Sequence, residues 1–210
     1  MGLNIADYVA GWAASPLGAL GGAPWEVTRQ APERVAAIIR DIGGDYDLRD
    51  GIAVHFTAVV ERAATLKGPI IIGPRCFVAG SALLRGGVFL EEDCIVGPAV
   101  ELKSTFMFKG AKVAHLSFVG DSLLGENVNL EAGSVVANYR NELESKRILI
   151  EIEGEVVDTG VDKFGALIGD GSRIGANAVI APGAILHRNS RVARLALIDQ
   201  HPTARRSGPP

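Results

Sequence analysis

The sequence predicts an all-β chain wound into a parallel β-helix, and three observations point there. Single aliphatic residues recur every six positions at Val54, Val60, Leu66, Ile72, Val78, Leu84, Leu90, Val96 and Leu102. That period belongs to neither an α-helix nor a simple strand. The residue four places after each anchor is usually small or apolar (Ala58, Ala64, Ile70, Cys76, Ala82, Val88, Cys94, Val100), so every hexad offers two inward positions. Aromatics make up only 6% of the chain while glycine fills 26 positions, which suits a narrow coil with aliphatic layers and tight corners. Three hexads per turn place residues 18 apart in sequence directly above one another, at an inter-strand spacing of about 4.8 Å.

Composition sets the outer limits. A chain of 210 residues that is 48% hydrophobic is sized for one main folded domain with a small addition. A net charge of −3 leaves no basic footprint for nucleic acid. The first 25 residues hold apolar stretches, but Asp7 comes early, Pro16 interrupts them and no Lys or Arg precedes Arg29. That pattern is neither a signal peptide nor a membrane span. Cys76 and Cys94, 18 apart, fall in adjacent coils and read as buried thiols rather than a disulfide, which favours a cytoplasmic address.

In chain order, residues 1–45 form an arm and a capping helix. The stretch 1–30 reads as irregular or short-helical, with Trp12 and Trp25. A helix then starts at Ala31: Pro32 suits the first turn, Glu33 the N-terminal dipole, and Val35, Ile38, Ile39 and Ile42 share a face until Gly43-Gly44 ends it. Its expected task is to cover the open end of the coil. Residues 46–200 carry the β-helix. After Leu102 the register continues less cleanly through Phe108, Val113 and Val119, takes a five-residue step to Leu124, and passes Leu130 and Val136. A polar insertion over 140–163 interrupts it, with Arg147–Ile152 and Val156-Val157 flanking Glu153-Gly154-Glu155 as a projecting hairpin. The hexads return at Ile168, Ile174, Ile180, Leu186, Val192 and Ile198, and residues 201–210 form a polar, frayed tail.

Three sets of residues could carry chemistry. Lys67, Arg85 and Lys103 are each 18 apart and each follows an inward anchor, so they stack on one edge of the prism. Stacked like charges repel unless an anion or a carboxylate lies among them; the column either holds an anion such as phosphate or splays into water. His115 sits where the repeat slips, and histidine is a residue type that can take a proton near neutral pH as a general base must, though from the residues alone a satisfied structural histidine is the more ordinary reading. The other histidines, His55, His187 and His201, have no ligand spacing with it, and no metal site is expected. Asn129 and Asn138 could orient a polar ligand or merely cap turns.

The stretch from Glu101-Leu-Lys103 through Lys109-Gly-Ala-Lys-Val-Ala-His115-Leu-Ser-Phe-Val-Gly-Asp121, then Asn127-Val-Asn129-Leu-Glu-Ala132 and Asn138-Tyr139, resembles the acetyltransferase domain of the bifunctional N-acetylglucosamine-1-phosphate uridyltransferases. Asp158–Asp170, with Gly175-Ala-Asn177 and Pro182-Gly183, looks like the archaeal-type sugar-phosphate nucleotidyltransferase and acetyltransferase relatives. Together they span about two-thirds of the chain. The resemblance implies a left-handed coil, acetyl-CoA as cosubstrate, a small-molecule acceptor, no metal, and a homotrimer with sites between subunits. Residue by residue it implies that His115 takes a proton from an amino-sugar amine, with Asn129 and Asn138 orienting. Arg85 and Lys103 would hold the sugar phosphate, Phe118 and Tyr139 line the pocket, and Ala132, Ala176 and Asn177 border the pantetheine arm. Phe118 replaces the tyrosine of the family pattern, and Glu144 stands where a lysine is expected, leaving Lys146 or Arg147 as substitutes. The nucleotide-binding loop of a uridyltransferase domain is missing from the sequence, so no uridyltransferase activity is expected.

These observations lead to an acyl-CoA-dependent N-acyltransferase acting on an amino sugar or amino-sugar 1-phosphate. A catalytically silent β-helix serving as a binding or scaffold module is the competing reading, and a zinc hydratase of the same fold the third.

Overall fold

The computed structural model describes residues 3–202; the predicted tail beyond Pro202 lies outside them. Residues 52–198 form a three-faced parallel solenoid. Its anchors stack in three inner columns. The first runs Val54, Ile72, Leu90, Met107, Leu124, Ile168, Leu186. The second holds Val60, Val78, Val96, Val113, Leu130, Ile174 and Val192. The third holds Leu66, Leu84, Leu102, Val119, Val136, Ile180 and Ile198. Most of these side chains are fully buried in one core cluster, each contributing on the order of 1.5–3 kcal/mol of burial.

One predicted anchor is corrected. The residue inside the coil after Leu102 is Met107, not Phe108, which packs outside with Trp12 and Phe89. Leu102 to Met107 is therefore a five-residue step like Val119 to Leu124. Both losses fall at the same corner, between the third face and the next first face. There Arg85-Gly86-Gly87-Val88 is matched one coil later by Lys103-Ser104-Thr105, and then by Gly120-Asp121-Ser122. Two glycines with positive φ give way to a single left-handed residue, Ser104 (φ 48°) and then Asp121 (φ 45°).

The first face is apolar on both sides. Ile71, Phe89, Phe106, Leu123, Leu167 and Ile185 point outward in a second column and need a cover. The N-terminal arm supplies it. Helices α1 (Pro24–Arg29) and α2 (Ala31–Arg40) lie across this face, burying Trp25, Val27, Ala31 and Val35 with Phe106, Phe164 and Leu167. The expectation that the helix at Ala31 caps the coil end is thus wrong. Its apolar residues answer a two-sided strand column rather than an open edge. The first edge is covered by β1 (Tyr46–Arg49), antiparallel to β2 (Ile52–His55). At the far end the Gln200 side-chain amide accepts from Ile185 N–H at 2.7 Å and donates to its carbonyl at 3.2 Å, mimicking a further strand.

The insertion forms the predicted hairpin, Leu149–Ile152 against Glu155–Asp158, turning at Glu153-Gly154. It does not project freely: Ile148 and Ile150 are buried with the arm over the first face. Arg140, 2% exposed, pins its root by reaching Asp199 at 2.6 and 2.8 Å and the Pro182 carbonyl at 3.0 Å. These bonds hold the Asp199 carboxyl below its usual range. His201, placed by sequence in the frayed tail, is buried beside them, and burial lowers its affinity for a proton. Cys76 and Cys94 are buried free thiols in adjacent coils, as expected.

Candidate active site

The predicted site residues separate onto two edges of the third face. At the edge entering that face, His115 occupies a turn whose next residue, Leu116, has φ 58°. Its ring is exposed, and its backbone carbonyl accepts from Gly133 N–H at 2.9 Å, which places Ala132 one coil up. Asn177 N–H bonds to the Ala132 carbonyl at 3.0 Å, so Ala176 follows in the same column. An exposed imidazole therefore stands below a strip of small residues. Glu131 borders it, bound to Ala176 N–H at 2.9 Å and to the Arg194 fork at 2.9 Å. The first of these bonds, helped by the second, lowers the Glu131 carboxyl.

At the edge leaving the third face stand Arg85, Lys103, Asn138 and Tyr139. The predicted cation column is real: Lys67 pairs in register with Arg85, and Arg85 with Lys103. Carboxylates resolve its repulsion. Arg85 meets Glu101 at 2.7 Å, and Lys103 meets both oxygens of Asp121 at 2.8 and 2.7 Å. Asn138 Nδ2 also donates to Asp121 Oδ2, while Gly165 N–H bonds to the Asp121 carbonyl at 2.9 Å, tying the returning insertion to the corner. The side chains of Lys103 and Asp121 are 18% and 6% exposed, so this is a nearly dry ion pair.

Phe118 lies on the third face beside this corner. A Cβ at position 120 would stand 2.8 Å from its Cζ and 2.7 Å from Asn138 Nδ2, so Gly120 is what lets ring and amide approach. Of the two possible substitutes for the lysine missing at Glu144, it is Lys146 that lies by Tyr139, its ammonium 5.6 Å from the centre of the ring. Arg147 instead pairs with Asp158 on the hairpin. Asn129 belongs to neither edge. It points outward on the second face, between Lys112 and Arg173.

Sequence reasoning missed Asp121 and Glu101. A partial signal for Asp121 was present, since it lies 18 positions after Lys103, but the shortened coil sets Gly120 over Lys103 and puts Asp121 at the corner, from which its carboxylate reaches the ammonium. Glu101 gave no such cue; its side chain points out of the strand two residues before Lys103 and reaches back to Arg85 of the coil below. The four histidines stand apart: His55 meets Tyr46, His187 stacks on Tyr8, His201 lies near Arg140, and the His115 ring has no hydrogen-bond or ring partner among the described residues. Among the described residues no group of three or more His, Cys, Asp or Glu could hold a metal ion, and no helix is long and apolar enough to cross a membrane.

Comparison with known proteins agrees with the repeat. The family described as bacterial transferase hexapeptide (six repeats) matches residues 165–200, and that described as hexapeptide repeat of succinyl-transferase matches 69–98. The chain is 29% identical over 160 residues to a bifunctional sugar-1-phosphate nucleotidylyltransferase/acetyltransferase of Sulfurisphaera tokodaii, covering 73% of this chain and 39% of that protein. It is 31% identical over 184 residues to bifunctional protein GlmU of Methanococcus maripaludis, covering 85% and 44%. The chain thus spans less than half the length of these relatives. A solved Arabidopsis UDP-N-acetylglucosamine acyltransferase aligns with TM-score 0.36 and 20% identity over 69% of this chain and 54% of that one.

Proposed function

We propose that this chain, which belongs to the hexapeptide-repeat transferases, moves an acetyl group from acetyl-CoA to the amino group of an amino sugar or amino-sugar 1-phosphate. The observation that carries this reading is the column at the entering edge, where exposed His115 lies directly below Ala132 and Ala176. The small side chains of this column would let an extended thioester lie along it, with Asn177 at its side. His115 accepts a proton from the amine as its nitrogen attacks the thioester carbon; the tetrahedral intermediate collapses, the C–S bond breaks, and the thiolate leaves and is protonated.

The acceptor belongs at the leaving edge, where Arg85 and Lys103 meet an anion and Asn138, Phe118 and Tyr139 border the ring. In one chain these groups and His115 stand at opposite margins of the third face. A homotrimer that sets the leaving edge of one copy against the entering edge of the next would complete the site, which is the arrangement the family resemblance implies. A second reading, a silent binding module, draws on the commitment of Arg85 to Glu101 and of Lys103 to Asp121.

Purified protein, acetyl-CoA and a panel of amino sugars with and without 1-phosphate, followed by thiol release, separate the two. Wild type is expected to turn over at least one acceptor, and His115→Ala to lose on the order of 10²–10⁴ in kcat. Because the ring is exposed, the variant should keep its stability within about 0.5 kcal/mol. Equal thiol release by wild type and variant on every acceptor overturns the catalytic assignment.

A further inference from the structure

The outer column of the second face changes character along the solenoid. Its lower rungs carry Val59, Phe77 and Ile95; its upper rungs carry Lys112, Asn129, Arg173 and Arg191, each the register partner of the next. All four point outward, because Val113, Leu130, Ile174 and Val192 beside them fill the core. Elsewhere on the solenoid several cations carry a carboxylate, as Arg75 does with Asp93, Arg85 with Glu101, Lys103 with Asp121 and Arg188 with Asp170, while Lys67 at the open start of its column has none among the described residues. Lys112, Arg173 and Arg191 have none within ion-pair distance among the described residues. Arg173 spends only Nη1, on the Asn127 carbonyl, and Arg191 only Nη1, on the carbonyls of Gly171, Asn189 and Ser190. Those carbonyls engage one end of each guanidinium group, and among the described residues Nε and Nη2 of both have no hydrogen-bond partner.

Two adjoining cavities lie along this column. One of 160 Å³ is lined by Lys112, Asn129 and Arg173, and the next, of 210 Å³, by Asn129, Arg173 and Arg191. Arg173 and Asn129 line both cavities, Lys112 adds a cation to the first and Arg191 to the second, and the second is also bordered by the Glu131–Arg194 pair. The nearest acid on that side, Glu131, is already neutralised by Arg194 and Ala176 N–H.

Three cations held one or two rungs apart, at about 4.8 Å per rung, repel one another unless an anion lies over them. We propose that this column is a binding site for a diphosphate group, one phosphate in each cavity, with the Arg173 and Arg191 forks and Lys112 as its counter-charges and Asn129 donating between them. On a chain of net charge −3 this is a local feature and not a general attraction for anions. The site stands independently of acyl transfer. Its ligand is either the diphosphate of the coenzyme or that of a separate phosphorylated molecule.

Titration calorimetry with inorganic pyrophosphate at low salt tests it. Wild type is expected to bind pyrophosphate saturably and more tightly than orthophosphate. The double variant Arg173→Gln/Arg191→Gln should weaken pyrophosphate binding tenfold or more, whereas Arg173→Lys/Arg191→Lys recovers most of the loss and Arg62→Gln, an exposed cation elsewhere, changes nothing. His115→Ala should bind pyrophosphate as wild type does, so that a failure of the acyl-transfer reading stays separable. Displacement of pyrophosphate by coenzyme A assigns the site to the coenzyme; lack of displacement assigns it to a separate ligand. No saturable binding by wild type, or unchanged binding by a folded glutamine double variant, overturns the proposal.

Discussion

Lys103 Nζ lies 2.8 and 2.7 Å from the two carboxylate oxygens of Asp121, and the same carboxylate takes a hydrogen bond from Asn138. The corner residue of one coil is thereby locked to the strand end of the coil below and to the root of the insertion. Neither member is solvated enough to stand alone without cost.

Asp121→Asn is therefore expected to destabilise the fold by about 3 kcal/mol, since it leaves a largely buried ammonium with a neutral partner. Lys103→Met should cost less, because Asn138 still satisfies Asp121. Urea denaturation of the two single variants and the double should return a coupling of about 1–3 kcal/mol; additive losses would show that the pair is not a unit.

Arg85 and Glu101 predict acceptor choice. Arg85→Ala should raise KM for a 1-phosphorylated acceptor at least tenfold, about 1.4 kcal/mol, while barely touching its unphosphorylated counterpart. Glu101→Gln, which frees the guanidinium, should lower KM for the phosphorylated acceptor. Equal effects on both acceptors would remove Arg85 from phosphate recognition.

Gly87 has φ 87°, and a Cβ there would stand 2.4 Å from the carbonyl carbon of Ala31. Gly87→Ala should cost about 2 kcal/mol or more and loosen α2 from the first face. At Gly86 the nearest group is the Ser104 hydroxyl at 3.1 Å, so Gly86→Ala should cost only about 1 kcal/mol, the left-handed backbone term alone. Thermal unfolding and proteolysis between Gln30 and Asp45 read out the difference.

His201 supplies a pH dependence. Burial, and then the charge of Arg140, hold its pKa below the ordinary 6.5. The unfolded chain therefore binds this proton more readily, and stability falls as pH drops through about 6.5 toward the folded value. The Asp199 carboxyl is shifted down by Arg140, so its stabilisation is present above the unfolded carboxylate pKa of about 3.9 and is lost only below it. His201→Gln should flatten the urea midpoint between pH 7 and pH 5 and leave the acid limb in place.

The coil period, the three faces, the stacking of Lys67, Arg85 and Lys103, the free thiols in neighbouring coils and the hairpin in the insertion were all legible in the sequence. A six-residue period builds a three-faced coil, and an 18-residue turn converts sequence separation into spatial neighbourhood by arithmetic. The arithmetic broke where the corner shortened. Phe108 looked like an anchor because the eye continues the period, whereas loss of one residue at Ser104 hands the inner position to Met107. The arm was misplaced for a related reason. The apolar face of α2 declares that it must be covered, but only the outward column of Ile71, Phe89, Phe106 and Leu167 says by what.

By itself, then, the sequence determined the frame and the chemical inventory: local repetition needs nothing beyond neighbouring hexads to be satisfied, and His115, Asn129 and Asn138 are visible as residue types. Only the tertiary structure decided which charges meet. Ion pairing depends on side-chain reach across coils, so Asp121 and Glu101 neutralise one cation column while Lys112, Arg173 and Arg191 are left without acids on the next face. It also decided that His115 and Lys103 occupy opposite edges of one face, because three residues of strand, Phe118–Gly120, must separate the two corners of any coil.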